Sequence, residues 1–398
     1  MRILLSAYNC RPHRGSEFAI GWNWTVELSR LGHSVHVLTH AGNREEIEAE
    51  TAKNPLPNVT FSYLDAPSWA MKIGLGTMRL RYLMWLWVAL KRARELEQEI
   101  DLCHHVSWTS ISGGSLLWRL DKPFFLGPVG GGQKAPAAFK EYFGGGWRNE
   151  FRRNLRIAWT TNWNPLARGA VGKAKLVFAA NSETVRVLST MNRARVRLTW
   201  DNALPPSYPP SEKPVRKAFS SLRIVWVGGI SPIKALRLAL EAMVASTTPN
   251  TLTIVGDGPL ARELPGWLKR LGLEDRVDWW GQVPWLEVKR AYMENDVLLF
   301  TSLRDTSGAQ FLEAMAHGMP VIALDHHGAH DWIPDNAGIK VPVTNPKETI
   351  AGLASAIDRL WREPELREQM GINAYEYAKK QTWENRVREI AALYEKYM

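Results

Sequence analysis

The sequence predicts an α/β protein of two Rossmann-like β/α/β domains facing each other across a cleft. Three observations predict this. A strand-turn-helix-strand pattern opens the chain at 2–39 and recurs at 223–255. Between the two lies Ala203–Pro214, with five prolines in twelve residues. At 398 residues the chain can bury two cores. The expected division is a first domain at 1–203, a Pro-rich linker at 204–214 and a second domain at 215–380.

Each element follows from local chemistry. Arg2–Ala7 reads as a strand, Ser16–Leu31 as a helix stopped by Gly32, and Ser34–Thr39 as the next strand. Phe124–Val129 is an apolar run that ends at Gly130-Gly-Gly132. In the second half, Arg223–Val227 is a strand and Gly228-Gly229 turn the chain. Ser231 caps a helix with Pro232 at its first position, which puts Lys234 in the first turn. Thr251–Val255 is the following strand. From Thr382 to Met398, Trp383, Val387, Ile390, Leu393 and Tyr394 recur at helical spacing. That marks an amphipathic helix, expected to pack back on the first domain.

The segment Ser302–Leu324 carries the densest signal. The strand Asp296–Thr301 precedes it, and Thr306 and Ser307 are cap types. Phe311, Leu312, Met315 and Ala316 share a helix face, Gly318 sits where a C′ residue belongs, and Pro320 forbids continuation. From Thr306 to Leu324 the only charged residue is Glu313, and Asp305 stands eight positions before it. The loop lies at the carboxyl end of a strand, where open parallel sheets bind ligands. The amides of Gly308, Ala309 and Gln310 would open the helix toward an anion. Gly15-Ser16, Gly130–Gly132 and Gly228-Gly229 are further turns at strand ends, and Lys234 adds a cation suited to a diphosphate. Taken singly, each is more often an ordinary turn or cap.

The net charge of +10 is uneven: residues 1–200 hold +12 and residues 201–398 hold −2. A basic first half implies an anionic partner, whether nucleic acid, membrane or phosphorylated substrate. No nucleic-acid reading module is recognisable. Two cysteines, Cys10 and Cys103, fit a reducing, cytoplasmic setting. The apolar stretch Tyr82–Leu90 is far shorter than the ~20 residues a membrane span needs. Its basic flanks allow an interfacial helix dipping Tyr82, Trp85 and Trp87 into lipid, and a buried helix is the plainer reading. Asp325–His330, with three histidines, fits no standard zinc spacing, so no metal is expected.

The motifs resemble those of retaining glycosyltransferases of the GT-B fold, family 4, and the likeness runs through nearly the whole chain. Its most specific element is Asp305…Glu313-Ala-Met-Ala-His-Gly-Met-Pro-Val-Ile322. Val255-Gly-Asp-Gly-Pro259, Trp280-Gly-Gln-Val283, Arg14-Gly-Ser-Glu17 and Gly32–Thr39 add to it. Leu126–Gly132 is similar to a subgroup of bacterial surface-polysaccharide enzymes. The resemblance implies transfer of a hexose from a nucleotide diphosphate sugar, without metal or cofactor and with retention. It implies that Glu313 meets the ribose, Asp305 the donor sugar, and Gly308, Ala309 and Gln310 the sugar and diphosphate. Val283 would meet the base, Lys234 the diphosphate, and Gly15 and Ser16 would close over the phosphates.

Four positions depart from the family pattern. Asp305 stands where Glu is usual, Gly229 where Arg is, Ala235 where Gly is, and Gly130 where many members carry His. Arg304 and Arg14 are the candidate replacements for the missing cation. His105, at the end of the strand Asp101–His105, is a candidate cleft residue; a packed histidine is the bland reading. An inactive nucleotide-sugar binder and a nucleic-acid binder remain as alternatives. The basic first half favours a lipid-linked diphosphate acceptor at an anionic membrane surface.

Overall fold

Runs such as Ile3-Leu-Leu5, Phe124-Phe-Leu126 and Val297-Leu-Leu-Phe300 have no polar face, and the chain buries them on both sides in parallel sheets. The structure is a computed structural model that describes residues 1–15, 17–67, 78–108, 110–191, 195–216 and 220–398. Ser16 lies outside them. The chain divides into two compact units.

The first unit comprises Met1–Gly132, Leu155–Asn202 and Trp383–Met398. Its strands are β1 (Arg2–Ser6), β2 (Ser34–His40), β3 (Val59–Leu64), β4 (Leu102–His105), β5 (Phe124–Val129), β6 (Leu176–Ala179) and β7 (Val196–Leu198). They form one parallel sheet in the order β3-β2-β1-β4-β5-β6-β7. Helix α1 (Glu17–Arg30) ends where Gly32 turns to φ 82°, a conformation cheap only for glycine. Then come α2 (Arg44–Lys53), α3 (Met78–Glu95), α4 (Trp147–Trp163, which enters this unit at Leu155), α5 (Pro165–Lys173) and α6 (Ser182–Ser189). The C-terminal helix, Trp383–Tyr397, buries Trp383, Val387, Ile390 and Tyr394 in this unit. There the Tyr394 hydroxyl and His104 Nδ1 share a 2.5 Å hydrogen bond.

The interfacial reading of 82–90 needs correction. Tyr82 and Trp85 are core residues of the first unit, and only Trp87 is exposed. Two aromatic rings that fill a core cannot also enter lipid. Among the described residues no helix is long and apolar enough to cross a membrane, and both cysteines are buried and free.

The second unit comprises Gln133–Asn154 and Ala203–Thr382. Its parallel sheet runs β10 (Val277–Gly281), β9 (Asn250–Val255), β8 (Leu222–Val227), β11 (Val297–Phe300), β12 (Val321–Leu324), β13 (Gly338–Val341). Helices α7 (Leu236–Ala245), α8 (Leu264–Leu271), α9 (Trp285–Glu294), α10 (Ala309–Ala316), α11 (His327–Trp332), α12 (Pro346–Arg362) and α13 (Pro364–Lys380) connect and cover it. The C-terminal helix of the first unit is α14.

Two expected boundaries move. Residues 133–154 were expected in the first domain, yet they strap onto the second unit. Phe139, Tyr142 and Phe143 are buried with Ile224, Trp226 and Leu240, and the Tyr142 hydroxyl donates to Glu241. The proline-rich 204–214 stretch is no free linker either. Leu204 N donates to Gln381 O at 2.9 Å, the Tyr375 hydroxyl donates to Pro210 O at 2.7 Å, and Tyr208 is buried. The charge asymmetry shrinks accordingly. The first unit's sequence holds 25 Lys+Arg against 17 Asp+Glu and the second's 25 against 23, so the excess is +8 against +2.

Candidate functional site

At the carboxyl end of β8 the chain turns through Gly228-Gly229 and Ser231–Lys234 before α7 begins at Leu236. Lys234 therefore sits just before the helix, not in its first turn. Lys234 N and Ala235 N both donate to Ser231 O, at 3.1 and 3.2 Å, closing a turn instead of a cap. Ala235 is left-handed at φ 46°, ψ 50°, which is why a glycine suits this place. The neighbouring Val255-Gly-Asp-Gly-Pro259 turn packs on this loop. A Cβ on Gly256 would lie 1.9 Å from Gly228 O, and one on Gly258 2.5 Å from Ile230 O. Those two glycines are demanded by close backbone approach.

The loop after β11 brings Asp305 to Lys234. The Lys234 ammonium donates to one Asp305 oxygen, the Ser302 hydroxyl reaches the same oxygen at 3.1 Å, and the Thr306 amide reaches the other at 2.9 Å. Burial alone would raise the carboxyl's pKa. The Lys234 charge and these hydrogen bonds outweigh it and hold Asp305 below its ordinary value. Thr301 fixes the other side of the pair: its hydroxyl donates to the carbonyls of Lys234 and Ala235 at 3.1 Å. The side chains of Lys234 and Asp305 stay 17% and 20% exposed, so the pair is open to a ligand.

Helix α10 starts at Ala309 behind Gly308, at φ 64°, with no side-chain cap. Thr306 and Ser307 were expected to cap it. Instead the Thr306 hydroxyl accepts from Gln133 Nε2 at 2.9 Å, and the glycine is the N-cap. A Cβ on Gly308 would lie 2.4 Å from the Phe311 ring, so glycine is required twice over. The helix thus begins with amides that no side chain claims, a start suited to an anion. The buried side-chain oxygen of Gln310 has no hydrogen-bond partner among the described residues.

One turn further on, Glu313 is buried at 8% exposure. Its oxygens accept from Trp285 Nε1 at 2.8 Å and from the Tyr292 hydroxyl at 3.1 Å. Burial pushes its pKa up to about 7, against the pull of those two bonds and of Lys289. Tyr208 stacks on Trp285 at 5.2 Å, and Lys289 Nζ lies 4.2 Å above Tyr208. Val283 is half-buried in the turn between β10 and α9, two residues before Trp285. Sequence reasoning missed Trp285, Tyr292 and Tyr208. The first two stand seven apart on one helix face, a spacing that could have paired them.

Residues 212–377 match the family described as "Glycosyl transferases group 1". The match covers less than half of the chain. A putative colanic acid biosynthesis glycosyltransferase of Escherichia coli is 30% identical over 155 residues, 36% of this chain and 38% of that protein. Matches to the first curated relatives span 30–39% of those proteins' lengths. Among solved structures, sucrose-phosphate synthase from Thermosynechococcus elongatus superposes with a TM-score of 0.71 at 18% identity, covering 99% of this chain and 98% of that one. The Anabaena protein HepE in complex with UDP gives 0.67 at 16%, covering 100% of both. The fold is GT-B.

The strap also reaches the loop after β11. Glu150 pairs with Arg304, one carboxylate oxygen 2.8 Å from Nε and the other accepting a hydrogen bond from the second nitrogen at 3.1 Å, with both side chains largely buried. Gln133 holds Thr306, so both neighbours of Asp305 are fastened by one segment. Arg304 is therefore a neutralised cation and not a spare one. Nothing local in the sequence announces a pairing across 154 positions. At Gly229 a Cβ would meet only Asp257 O at 3.6 Å, so a side chain fits where the family's Arg is absent.

The remaining expected residues belong to the first unit. His105, expected to face a cleft, is fully buried, with Nδ1 at 2.8 Å from the Ser6 hydroxyl and Nε2 at 2.9 Å from the Tyr82 hydroxyl. Burial lowers its pKa to about 3, so it is a neutral, packed ring with both nitrogens in use. Gly15 is half-buried in the loop before α1, and Arg14 pairs with Glu46 at 3.1 Å on the surface. Gly130 bridges Ser110, and Gly132 N donates to the Thr184 hydroxyl at 3.1 Å. In the second unit His326 bonds Ser302 O at 2.8 Å and His330 pairs with Asp325 at 2.7 Å. Among the described residues no group of three potential ligands gathers to hold a metal.

Proposed function

We propose that the protein is a retaining hexosyltransferase that uses a nucleotide diphosphate sugar and acts on a lipid-linked diphosphate or polysaccharide acceptor in surface-polysaccharide synthesis. The observation that carries this is the Lys234–Asp305 pair beside the uncapped start of α10, with Glu313 one turn beyond. A diphosphate entering there competes with Asp305 for the Lys234 ammonium and meets the amides of Gly308, Ala309 and Gln310. Ribose hydroxyls donate to Glu313, each of whose oxygens has a lone pair beyond its present bond. Val283 offers backbone to the base, and Asp305, released from Lys234, turns to the sugar.

The sugar's anomeric carbon exchanges its bond to the diphosphate oxygen for one to the acceptor oxygen on the same face, and the acceptor proton passes to the departing diphosphate. Lys234 and the helix amides stabilise the negative charge that grows there. Neither metal nor cofactor enters this scheme, and Arg304 acts through its place in the loop. The setting is the cytoplasmic membrane face.

Thermal-shift measurements with UDP-, GDP- and ADP-sugars, followed by hydrolysis and transfer assays, test the reading. One nucleotide class should raise the melting temperature, with about 2.7 kcal/mol of stabilisation at a hundred times its Kd, and turn over. Stabilisation without turnover supports the inactive-binder alternative, which Gly229 favours because a phosphate cation is missing there. No shift with any nucleotide sugar overturns both.

A further inference from the structure

The stretch Pro205-Pro-Ser-Tyr-Pro-Pro210 sets a proline pair on each side of a Ser-Tyr step. A proline ring fixes φ at about −65°, so this segment has few conformations to lose when it folds. The second unit pins it at both ends, through Leu204 N to Gln381 O at 2.9 Å and the Tyr375 hydroxyl to Pro210 O at 2.7 Å. Between these anchors Tyr208 N donates to Pro205 O at 2.9 Å, closing a turn. The Tyr208 side chain is 3% exposed. Its ring stacks on Trp285, with 24° between planes, and meets His317 edge-on at 5.5 Å and 87°. Both neighbours bond to Glu313. Trp285 Nε1 donates to a carboxylate oxygen at 2.8 Å, and His317 Nδ1 lies 2.9 Å from the Glu313 backbone oxygen. Lys289 Nζ lies over the Tyr208 ring and donates to Tyr208 O at 3.4 Å. The buried Tyr208 hydroxyl has no hydrogen-bond partner among the described residues, so the ring is what the site uses.

We propose that Tyr208 is a positioning residue for Glu313: the proline-framed segment wedges its ring against Trp285 and His317 and so fixes the carboxylate in the orientation that accepts the donor's ribose. Tyr208 is too deeply buried to touch a donor, while Trp285 is half-buried. Its effect therefore passes through the residues it packs on. An offset aromatic stack fixes orientation as well as burying area. A carboxylate already held by a fixed donor has fewer rotamers to lose when the nucleotide arrives, which makes binding tighter. The inference rests on the reading of Glu313 as the ribose acceptor, and it adds which part of the chain holds that acid in place.

Titration calorimetry of the full chain with UDP, GDP and ADP tests it, the tightest of the three being carried through the variants. Glu313→Ala should weaken binding by about tenfold or more. Tyr208→Leu should weaken it about threefold to tenfold, the range for one side chain left to be ordered on binding. Tyr208→Phe should restore the wild-type affinity. Trp285→Phe, which keeps a ring for the stack and removes the donor, should match Tyr208→Leu. In the Glu313→Ala background Tyr208→Leu should cost less than about twofold, because two residues acting through one contact are not additive. Trp267→Leu, in a core cluster of the same unit that holds neither Tyr208 nor Trp285, should lower melting temperature and leave affinity unchanged. A merely structural Tyr208 would behave in the same way. With Glu313→Ala weakened as expected, four outcomes overturn the inference alone: wild-type affinity for Tyr208→Leu, wild-type affinity for Trp285→Phe, failure of Tyr208→Phe to restore binding, or an undiminished loss in the Glu313→Ala background. No binding of any of the three nucleotides, or wild-type affinity for Glu313→Ala, overturns the ribose reading and this inference with it.

Discussion

The carboxyl ends of β4 and β11 both bury a titratable side chain, and they treat it in opposite ways. At β4, His105 sits among neutral partners, Ser6 and Tyr82, and burial wins: the ring stays uncharged at any ordinary pH. At β11, Asp305 is also screened from water, but the Lys234 ammonium and two further donors win, and the carboxylate stays charged. Desolvation is present in both. What differs is whether an opposite charge was supplied. A polar residue at a strand end is thus no sign of chemistry by itself; the partner decides whether it remains available to a ligand.

Removing the partner should have the largest effect. Lys234→Ala should cut turnover by roughly 100–1,000-fold, the loss of about 2.7–4 kcal/mol expected for one donor at a developing anion. It should also leave Asp305 without its counter-charge, so adding Asp305→Asn should recover melting temperature but not turnover. His105→Gln should cost stability and leave turnover within about threefold, since a packed ring contributes to folding and not to the reaction. Steady-state rates with the nucleotide sugar that stabilises the protein decide it. Equal losses from the two variants would erase the contrast between the strand ends.

Glu313 lies between these cases: buried like His105, yet within one helix of Asp305. Its pKa, raised to about 7, gives a signed prediction. A raised carboxyl favours folding in its neutral form, so the contribution is complete below the ordinary value near 4.5 and is lost as pH rises through about 7. Glu313→Gln removes that titration. Between pH 5 and pH 8 the wild type should lose up to about 2.5 kcal/mol relative to the variant, read from melting temperatures across pH. Donor affinity should run the other way in the wild type and rise through about pH 7, because the carboxylate accepts ribose hydroxyls better than the acid does. Parallel melting curves would show that Trp285 and Tyr292 already hold the group ionised.

Much of the fold was legible because strands and helices announce themselves locally. The β8-α7-β9 opening, the apolar run at β5 and the α10 stop at Gly318 all follow from residues within a few positions of one another. What escaped was long-range. Ser231-Pro232 suits a turn as well as a helix start, and only the left-handed Ala235 decides between them. The strap 133–154 has an ordinary composition, and its place follows from where Phe139, Tyr142 and Phe143 find a core. At the site, Asp305 and Glu313 stood out as isolated acids. Their surroundings did not: Glu150 and Gln133 arrive from the strap and Trp285 and Tyr208 from two other stretches, and Glu150 turned Arg304 from a spare cation into a neutral pair.

The smallest effect expected concerns Ala235, whose backbone presents Lys234 to Asp305. A left-handed alanine costs about 1–2 kcal/mol. Glycine would relieve that but lose a buried methyl worth about 0.8 kcal/mol and some chain entropy in the unfolded state. The terms nearly cancel, so Ala235→Gly should change stability by less than about 1 kcal/mol, or roughly 2–4 °C in melting temperature at most. Turnover should hold within twofold, because Thr301 still anchors the carbonyls of Lys234 and Ala235. Ala235→Val keeps the strain and adds a branched side chain at φ 46°, and it should lower both stability and turnover. The pair separates two accounts of why Lys234 stands where it does. If backbone geometry places it, valine harms turnover and glycine does not. If Asp305 alone places it, the two variants should differ in melting temperature only, and the strand end would owe its chemistry to the ion pair and nothing else.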